Sequence, residues 1–267
     1  MTYFLLLVLS IVLHELGHFA VAKCFGVRVK RFCIFFDWGF HLFSTGKRFA
    51  TELRIGWLPI GGYVKFDIPD GDEQPKWSIM AQRPWKRLLV AVAGVTVNLL
   101  VAYCCIFARE RTYIVPERSY SNTYVMKRAA EETVSRMDEC RKMLLTAYLP
   151  KTLTKNISIE NVNVTHQVVQ QPVQHYTAYT LSPPIVVETP MYQNLLWQMA
   201  DINLLLLLFN LLPFAPLDGA HCLFSLYEMV FRRPLNEKVK IVLCLCGLLV
   251  VVGMMAVDVI TMVGRVI

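Results

Sequence analysis

Four stretches of about twenty mostly apolar residues constrain this chain more than any other feature. They cover residues 1–22, 88–108, 192–213 and 239–264 of 267. About twenty helical residues cross the hydrocarbon core of a bilayer. The expected fold is therefore an α-helical polytopic membrane protein with four transmembrane helices. Composition agrees: 18% of residues are charged, where soluble chains average about 25%, and mean hydropathy is +0.44. A disordered chain or a basic nucleic-acid-binding domain is excluded, and no nucleic-acid partner is expected. The first stretch lacks a basic leader and a small-residue cleavage site, so it reads as a span and not a signal peptide.

Charge sets the orientation. Residues 23–87 carry twelve Lys/Arg and six Asp/Glu, and Arg232, Arg233 and Lys238 follow the third span. Positively charged short loops stay on the cytoplasmic side. Loops 23–87 and 214–238 are therefore expected inside, with both ends and residues 109–191 outside. The eight cysteines lie mostly in or beside apolar runs, without a CxxC pair, and read as small buried hydrophobes.

Inside, Phe49, Thr51, Leu53 and Ile55 alternate with more polar neighbours. Pro59-Ile60-Gly61-Gly62 and the run Tyr63–Phe66 follow. This predicts a β-hairpin or re-entrant loop between Lys47 and Phe66, turning at Pro59–Gly62, and the pattern alone favours an ordinary solvated hairpin. Outside, an amphipathic helix is expected near Val125–Leu149, with strand-like runs at 157–159 and 162–164. Together they make a small α+β segment. Residues 109–190 contain no glycine, which argues against a PDZ domain, whose carboxylate-binding loop needs glycines.

The chemistry begins in the first span with His14-Glu15-Leu16-Gly17-His18. On a helix, residues i and i+4 share a face, so both imidazoles can reach one ion. Glu15 stands beside them as a candidate general base. Two histidines and an acid within a bilayer are expensive, and a metal gives all three a reason to be there. Catalytic zinc commonly takes a third protein ligand, often a carboxylate. Asp201 and Asp258 lie near the outer ends of their spans, whereas Asp218 follows Pro213 and Pro216 at the inner end of the third. Asp218 can meet the histidines only if the broken backbone around Pro213 is enclosed by protein or lines a wet cavity.

These residues resemble the site-2 protease family of intramembrane zinc metalloproteases. The likeness rests on HELGH in the first span and on Asn210-x-x-Pro213-x-x-Pro216-Leu217-Asp218-Gly219. It extends to Gly94-x-x-x-Asn98 in the second span and to Gly61-Gly62-Tyr63-Val64-Lys65, similar to the membrane-associated β-loop of bacterial members. Val95 and Ala220 depart from the usual proline and second glycine, and a PDZ signature is lacking. The resemblance implies Zn2+ held by His14, His18 and Asp218, Glu15 as general base, and substrates that are single-span membrane proteins. It also implies a multi-pass protein of the bacterial cytoplasmic membrane, with the site toward the cytoplasm. Asn98, Asn210, Gly61 and Gly62 become candidates for holding an unwound substrate. The plainer reading of the two asparagines is helix–helix hydrogen bonding, worth about 0.6 kcal/mol on average. Two rival functions remain: an inactive scaffold of the same fold, and a metal-ion transporter, which would show internal repeats and polar groups along its depth.

Overall fold

Prolines and glycines punctuate this chain. The first helix, α1 (Thr2–Cys24), is mostly apolar over its first three turns. It stops where Gly26 takes a left-handed φ of 72°; Gly26 N–H then donates to Lys23 O and Val27 N–H to Ala22 O, which satisfies carbonyls that a helix end leaves free. Helix α2 (Pro84–Tyr113) opens on a proline, whose missing N–H costs nothing in a first turn. Helices α3 (Asn122–Tyr148), α4 (Met191–Asn210) and α5 (Asp218–Phe231) follow, and residues 238–249 form α6. The computed structural model describes residues 2–46, 50–69, 74–113, 122–148, 191–213, 217–236, 238–249 and 253.

Helix α2 is the hub, packed against α1, α3, α4 and α5. It runs antiparallel to α1: His18 lies at Val90 and His14, one turn earlier, at Asn98. Helix α4 runs parallel to α1, because Asn203 donates to Ser10 Oγ at 2.9 Å just as His18 approaches the start of α5 at Asp218. Trp197 of α4 meets the Arg109 guanidinium near the far end of α2, and Glu228 of α5 pairs with Arg87 near its start. Helices α4 and α5 thus follow α2 as one interrupted path. The interruption includes Pro213, which cannot donate a helical hydrogen bond.

This changes the placement of Asp218. Sequence reading put residues 214–238 in an inner loop with Asp218 at the membrane edge. Instead, Asp218 is the first residue of α5, a helix alongside α2, and Phe231 lies about 20 Å further along the helix axis.

Two helices are long and apolar enough to cross a membrane among the described residues: Thr2–Cys24 and Pro84–Arg111, with mean hydropathies of 2.0 and 2.3. Helix α4 is of spanning length but carries Gln193, Asn194, Gln198, Asp201 and Asn203. Most of the expected fourth span lies outside the described residues. Between α2 and α4 in the sequence, α3 packs Ala129 and Cys140 onto Ala102 and Ile106 of α2 and Ala200 and Leu204 of α4. Arg128 pairs with Glu110 at 2.7 Å. The strand-like runs at 157–164 lie outside the described residues.

The sheet also differs from expectation. The stretch read as a hairpin turning at Pro59–Gly62 is a single strand, β2 (Glu52–Phe66). Its partner is β1 (Val29–Ser44). Arg31 pairs with Lys65 on one side and Glu52 on the other, and Ile34 with Gly62 and Ile55; Phe43 and Ser44 pair with Ile55 and Arg54. Both strands therefore bend and curl into one small sheet. Phe35 and Gly39 supply the bend in β1, with φ of 68° and 82°. The sheet climbs α1: Val29 packs with Ala22, Phe32 stacks edge-on with Phe19, and Gly62 lies beside Ile11 and Glu15.

A closed polar network holds the curled strands. Arg31 and Arg54 each reach both Asp37 and Glu52, and Tyr63 Oη donates to Asp37 at 2.7 Å. Hydrogen bonds from Arg54 and Ser44 lower the Glu52 carboxyl to about 2. Burial, with the Asp37 hydrogen bond assisting, pushes the Tyr63 hydroxyl up to about 12. Around this network Trp38, Phe40, Leu42, Phe43 and Trp57 are exposed.

Candidate metal centre

The i, i+4 spacing puts His14 and His18 on the face of α1 that meets α2, and both are buried. Their Nε2 atoms are 3.2 Å apart. Asp218 Oδ2 lies 3.0 Å from His14 Nε2 and 3.1 Å from His18 Nε2. One carboxylate oxygen and two ring nitrogens thus converge on one point. Among the described residues, this is the group of three donors able to hold an ion. A tetrahedral zinc with bonds of about 2.0–2.1 Å spaces its donors about 3.3 Å apart, so the donor set and its spacing fit.

The far sides of both rings are also held. His18 Nδ1 lies 2.7 Å from Val90 O, which can only accept, so Nδ1 carries the proton and Nε2 offers its lone pair. His14 Nδ1 lies 3.1 Å from the side-chain amide of Asn98. Asn98 is fully buried, and its oxygen finds no partner while its nitrogen faces the ring. The two amide atoms are exchangeable by rotation. With oxygen toward the ring, Asn98 accepts from His14 Nδ1–H, the orphan is satisfied, and His14 Nε2 is freed for a metal. Such partners orient metal-binding histidines and raise their basicity.

The Gly94-x-x-x-Asn98 spacing now has a physical meaning. A Cβ at Gly94 would lie 2.4 Å from His18 Nε2 and 2.7 Å from His14 Nε2. Helix α2 can pass the ligand atoms only where it has no side chain. One turn on, Asn98 occupies the same face and touches His14.

Glu15 is rotated away from the ligand face and turns toward the sheet. The Val64 backbone lies beside the Glu15 carboxylate, and the Glu15 Cγ would be 3.3 Å from a Cβ at Gly62. Gly62 therefore sits beside Glu15, and Gly61, next in the strand, faces Phe36. Asn210 ends α4, half-buried, at the chain break before Asp218. Of the expected substrate-holding residues, Asn98 is placed against His14, Gly62 beside the candidate base, Gly61 next to it against Phe36, and Asn210 at the end of α4. Sequence reasoning missed Val90 and Val64, which act through backbone atoms and leave no side-chain signature.

A model of peptidase family M50 matches residues 2–254. The chain belongs to this family. Among its relatives, a Thermotoga maritima protein named "Putative zinc metalloprotease" is 37% identical over 108 residues, 38% of this chain and 21% of its own length. A Chlamydia pneumoniae protein of similar name is 38% identical over 124 residues, 38% of this chain and 18% of its own. The chain thus spans about a fifth of the length of these M50 relatives. A Clostridium perfringens relative, also named as a "Putative zinc metalloprotease", aligns over 92% of both chains at 25% identity. M50 is the site-2 protease family, so these matches agree with the family likeness read from the HELGH and Pro-x-x-Pro-Leu-Asp-Gly residues. They also support zinc as the metal that the donor set fits.

Proposed function

We propose that this chain is an intramembrane zinc metalloendopeptidase that hydrolyses peptide bonds within transmembrane segments of single-span membrane proteins. The observation that carries the reading is the convergence of His14, His18 and Asp218 at 3.0–3.2 Å inside a bundle of apolar helices, with Glu15 one residue from a ligand. His14, His18 and Asp218 would hold the zinc, which supplies Lewis-acid polarisation and makes water more acidic when bound.

The chain's own groups do the rest. Glu15 accepts the proton of the attacking water and returns it to the leaving amine. Val90 O and Asn98 keep the two imidazoles in the tautomer that leaves Nε2 free. The break between α4 and α5 brings Asp218 to mid-bundle depth. Irregular backbone at that depth is tolerated only when protein or a wet cavity surrounds it.

Four spans, with the site toward the cytoplasmic face of a bacterial inner membrane, complete the reading. The basic 23–87 loop and the bacterial relatives support it. The sheet's exposed aromatic tip suits contact with lipid, and its ion pairs are mutually neutralised, which a low-dielectric setting requires. An inactive scaffold would not need a complete donor set with its far-side hydrogen bonds. A transporter would need polar groups along a path, and these donors gather at one level.

The test is cleavage of a reconstituted single-span substrate by purified protein, compared with Glu15→Gln. The variant should keep stoichiometric zinc and lose hydrolysis. Loss of zinc with activity would make Glu15 a ligand and overturn the assigned roles.

A further inference from the structure

Helix α4 carries five consecutive leucines, Leu204–Leu208, a run with nothing in it to choose one packing register over another. Asn203 stands immediately before the run and is fully buried, as is Ser10 of α1. Asn203 Nδ2 donates to Ser10 Oγ at 2.9 Å and to Met199 O at 2.8 Å, and Ser10 Oγ–H donates in turn to Leu6 O at 2.8 Å. The amide is fixed this way round, because rotation would set Oδ1 against the Met199 carbonyl. Oδ1 is buried and finds no partner among the described residues, which makes the pair a poor source of stability. A buried asparagine in an apolar helix contact is better suited to specifying register.

Register matters for Asp218. Ser10, His14 and His18 follow at four-residue intervals along the buried face of α1. The level midway between the histidines, where Asp218 Oδ2 sits, is about 9 Å along the axis from Ser10. Helix α4 runs parallel to α1, and its last residue, Asn210, lies about 10 Å beyond Asn203. Asn210 and Asp218 therefore stand at nearly the same depth, although they are eight positions apart in the sequence. Gly219 shows that α5 starts directly against the end of α4: a Cβ there would run into Leu212 O and lie 2.6 Å from Leu211 O. The depth of Asp218 thus follows that of the end of α4, and Asn203 ties α4 to α1.

We propose that Ser10 and Asn203 are positioning residues for the metal centre. Their hydrogen bond fixes the axial register of α4 on α1 and so presents Asp218 at the level of His14 and His18. The proposal rests on the reading of these three residues as metal ligands. A slip of α4 by one helical turn is about 5.4 Å, whereas metal bonds tolerate about 0.2 Å. An error of register therefore removes the third ligand outright.

The experiment compares the purified wild-type chain with two double variants. Ser10→Ala with Asn203→Leu removes both polar partners. Ser10→Asn with Asn203→Ser exchanges them, so that an amide again donates to a hydroxyl across the same contact. Register is read without metal, as the distance between spin labels on Tyr3→Cys and Met191→Cys, two exposed positions on α1 and α4, in a background lacking other cysteines. Zinc affinity is read by chelator competition. The apolar pair should stay helical and melt near the wild-type temperature, because replacing both partners of a buried hydrogen bond with apolar groups is nearly neutral. Its label distances should broaden or shift by up to about 5 Å. Its zinc affinity should fall by at least about tenfold, as when groups that orient metal ligands are removed. The exchanged pair should recover both. Unchanged label distances, wild-type zinc affinity or unfolding in the apolar pair would each overturn the proposal, as would an exchanged pair no better than the apolar one. Shifted distances in the apolar pair, together with a wild type that binds no zinc, would keep the register role and refute the metal reading instead.

Discussion

Replacing Gly94 with alanine should separate metal binding from folding. The added Cβ would lie 2.4 Å from His18 Nε2, 2.6 Å from His14 Cε1 and 2.7 Å from His14 Nε2. Carbon contacts are comfortable at about 3.5–4.0 Å, so both imidazoles must retreat by about 1 Å. Metal bonds hold only within about 0.2 Å of their ideal lengths. The retreat therefore destroys the donor triangle instead of loosening it. Losing an outer partner already costs about 10–100-fold in affinity, so Gly94→Ala should cost at least about 100-fold. The same change helps the helix, where alanine is better than glycine by about 1 kcal/mol. The expected result is a folded protein, with helical content retained in detergent, that holds less than a tenth of the wild-type zinc after dialysis against a competing chelator. Metal analysis by mass spectrometry and thermal melting monitored by circular dichroism read the two effects separately. One tightly held zinc per chain in Gly94→Ala would refute the close passage of α2 over the ligands, and with it the account of the Gly94-x-x-x-Asn98 spacing.

Other outcomes follow from the same geometry. Asn98→Leu should weaken zinc binding by about 10–100-fold, whereas Asn98→Asp, which still accepts from His14 Nδ1–H, should recover most of it in the same chelator titration. Glu52 has its folded pKa lowered to about 2 from 4.5, so its contribution to the sheet is complete above about pH 4.5 and disappears as pH falls toward 2. Tryptophan fluorescence from Trp38 and Trp57 should report loosening across that window, and Glu52→Gln should flatten the profile. Cys24 is exposed at the C-terminal end of α1, which the proposed topology puts on the cytoplasmic side, so an impermeant thiol reagent should spare it in sealed cells and mark a Lys127→Cys variant that otherwise lacks cysteines; the reverse pattern would invert the topology. Chelating the zinc should lower the melting temperature, because an ion that binds only the folded chain adds stability by mass action. Equal melting with and without metal would argue against a resident ion.

The HELGH spacing was legible because helical periodicity alone puts His14 and His18 on one face. The third donor, Asp218, was legible as a residue but not as a place. Pro213 and Pro216 announce a break, yet only packing shows that α5 resumes beside α2 and puts Asp218 at the level of His18. The sheet was the least legible part. Residues 32–36 of β1 read Phe-Cys-Ile-Phe-Phe, without the alternation of a half-buried strand, because this segment is paired on both edges and packed on α1. Pro59-Ile60-Gly61-Gly62 has the composition of a turn, but its glycines permit close approach to Glu15 and Phe36 within a continuing strand. The cysteines followed expectation in part: Cys33 and Cys140 are buried, which makes both poor labels for topology.

What ties these observations together is proton bookkeeping at the donor triangle. Two Nε2 atoms 3.2 Å apart cannot both carry a proton aimed at the other. Val90 O fixes the proton of His18 on Nδ1, and Asn98, turned to satisfy its own oxygen, does the same for His14. Both lone pairs then face the Asp218 carboxylate with no proton between them. Three electron-rich atoms within 3.2 Å of one another, in a setting poor in water, repel unless a cation joins them. A divalent ion held by His14, His18 and Asp218 would balance the carboxylate and leave one positive charge, and that charge is what the metal would supply for electrostatic stabilisation. The far-side hydrogen bonds are therefore as informative as the ligands: they make a metal-free resting state unfavourable and set the charge at which the centre can act.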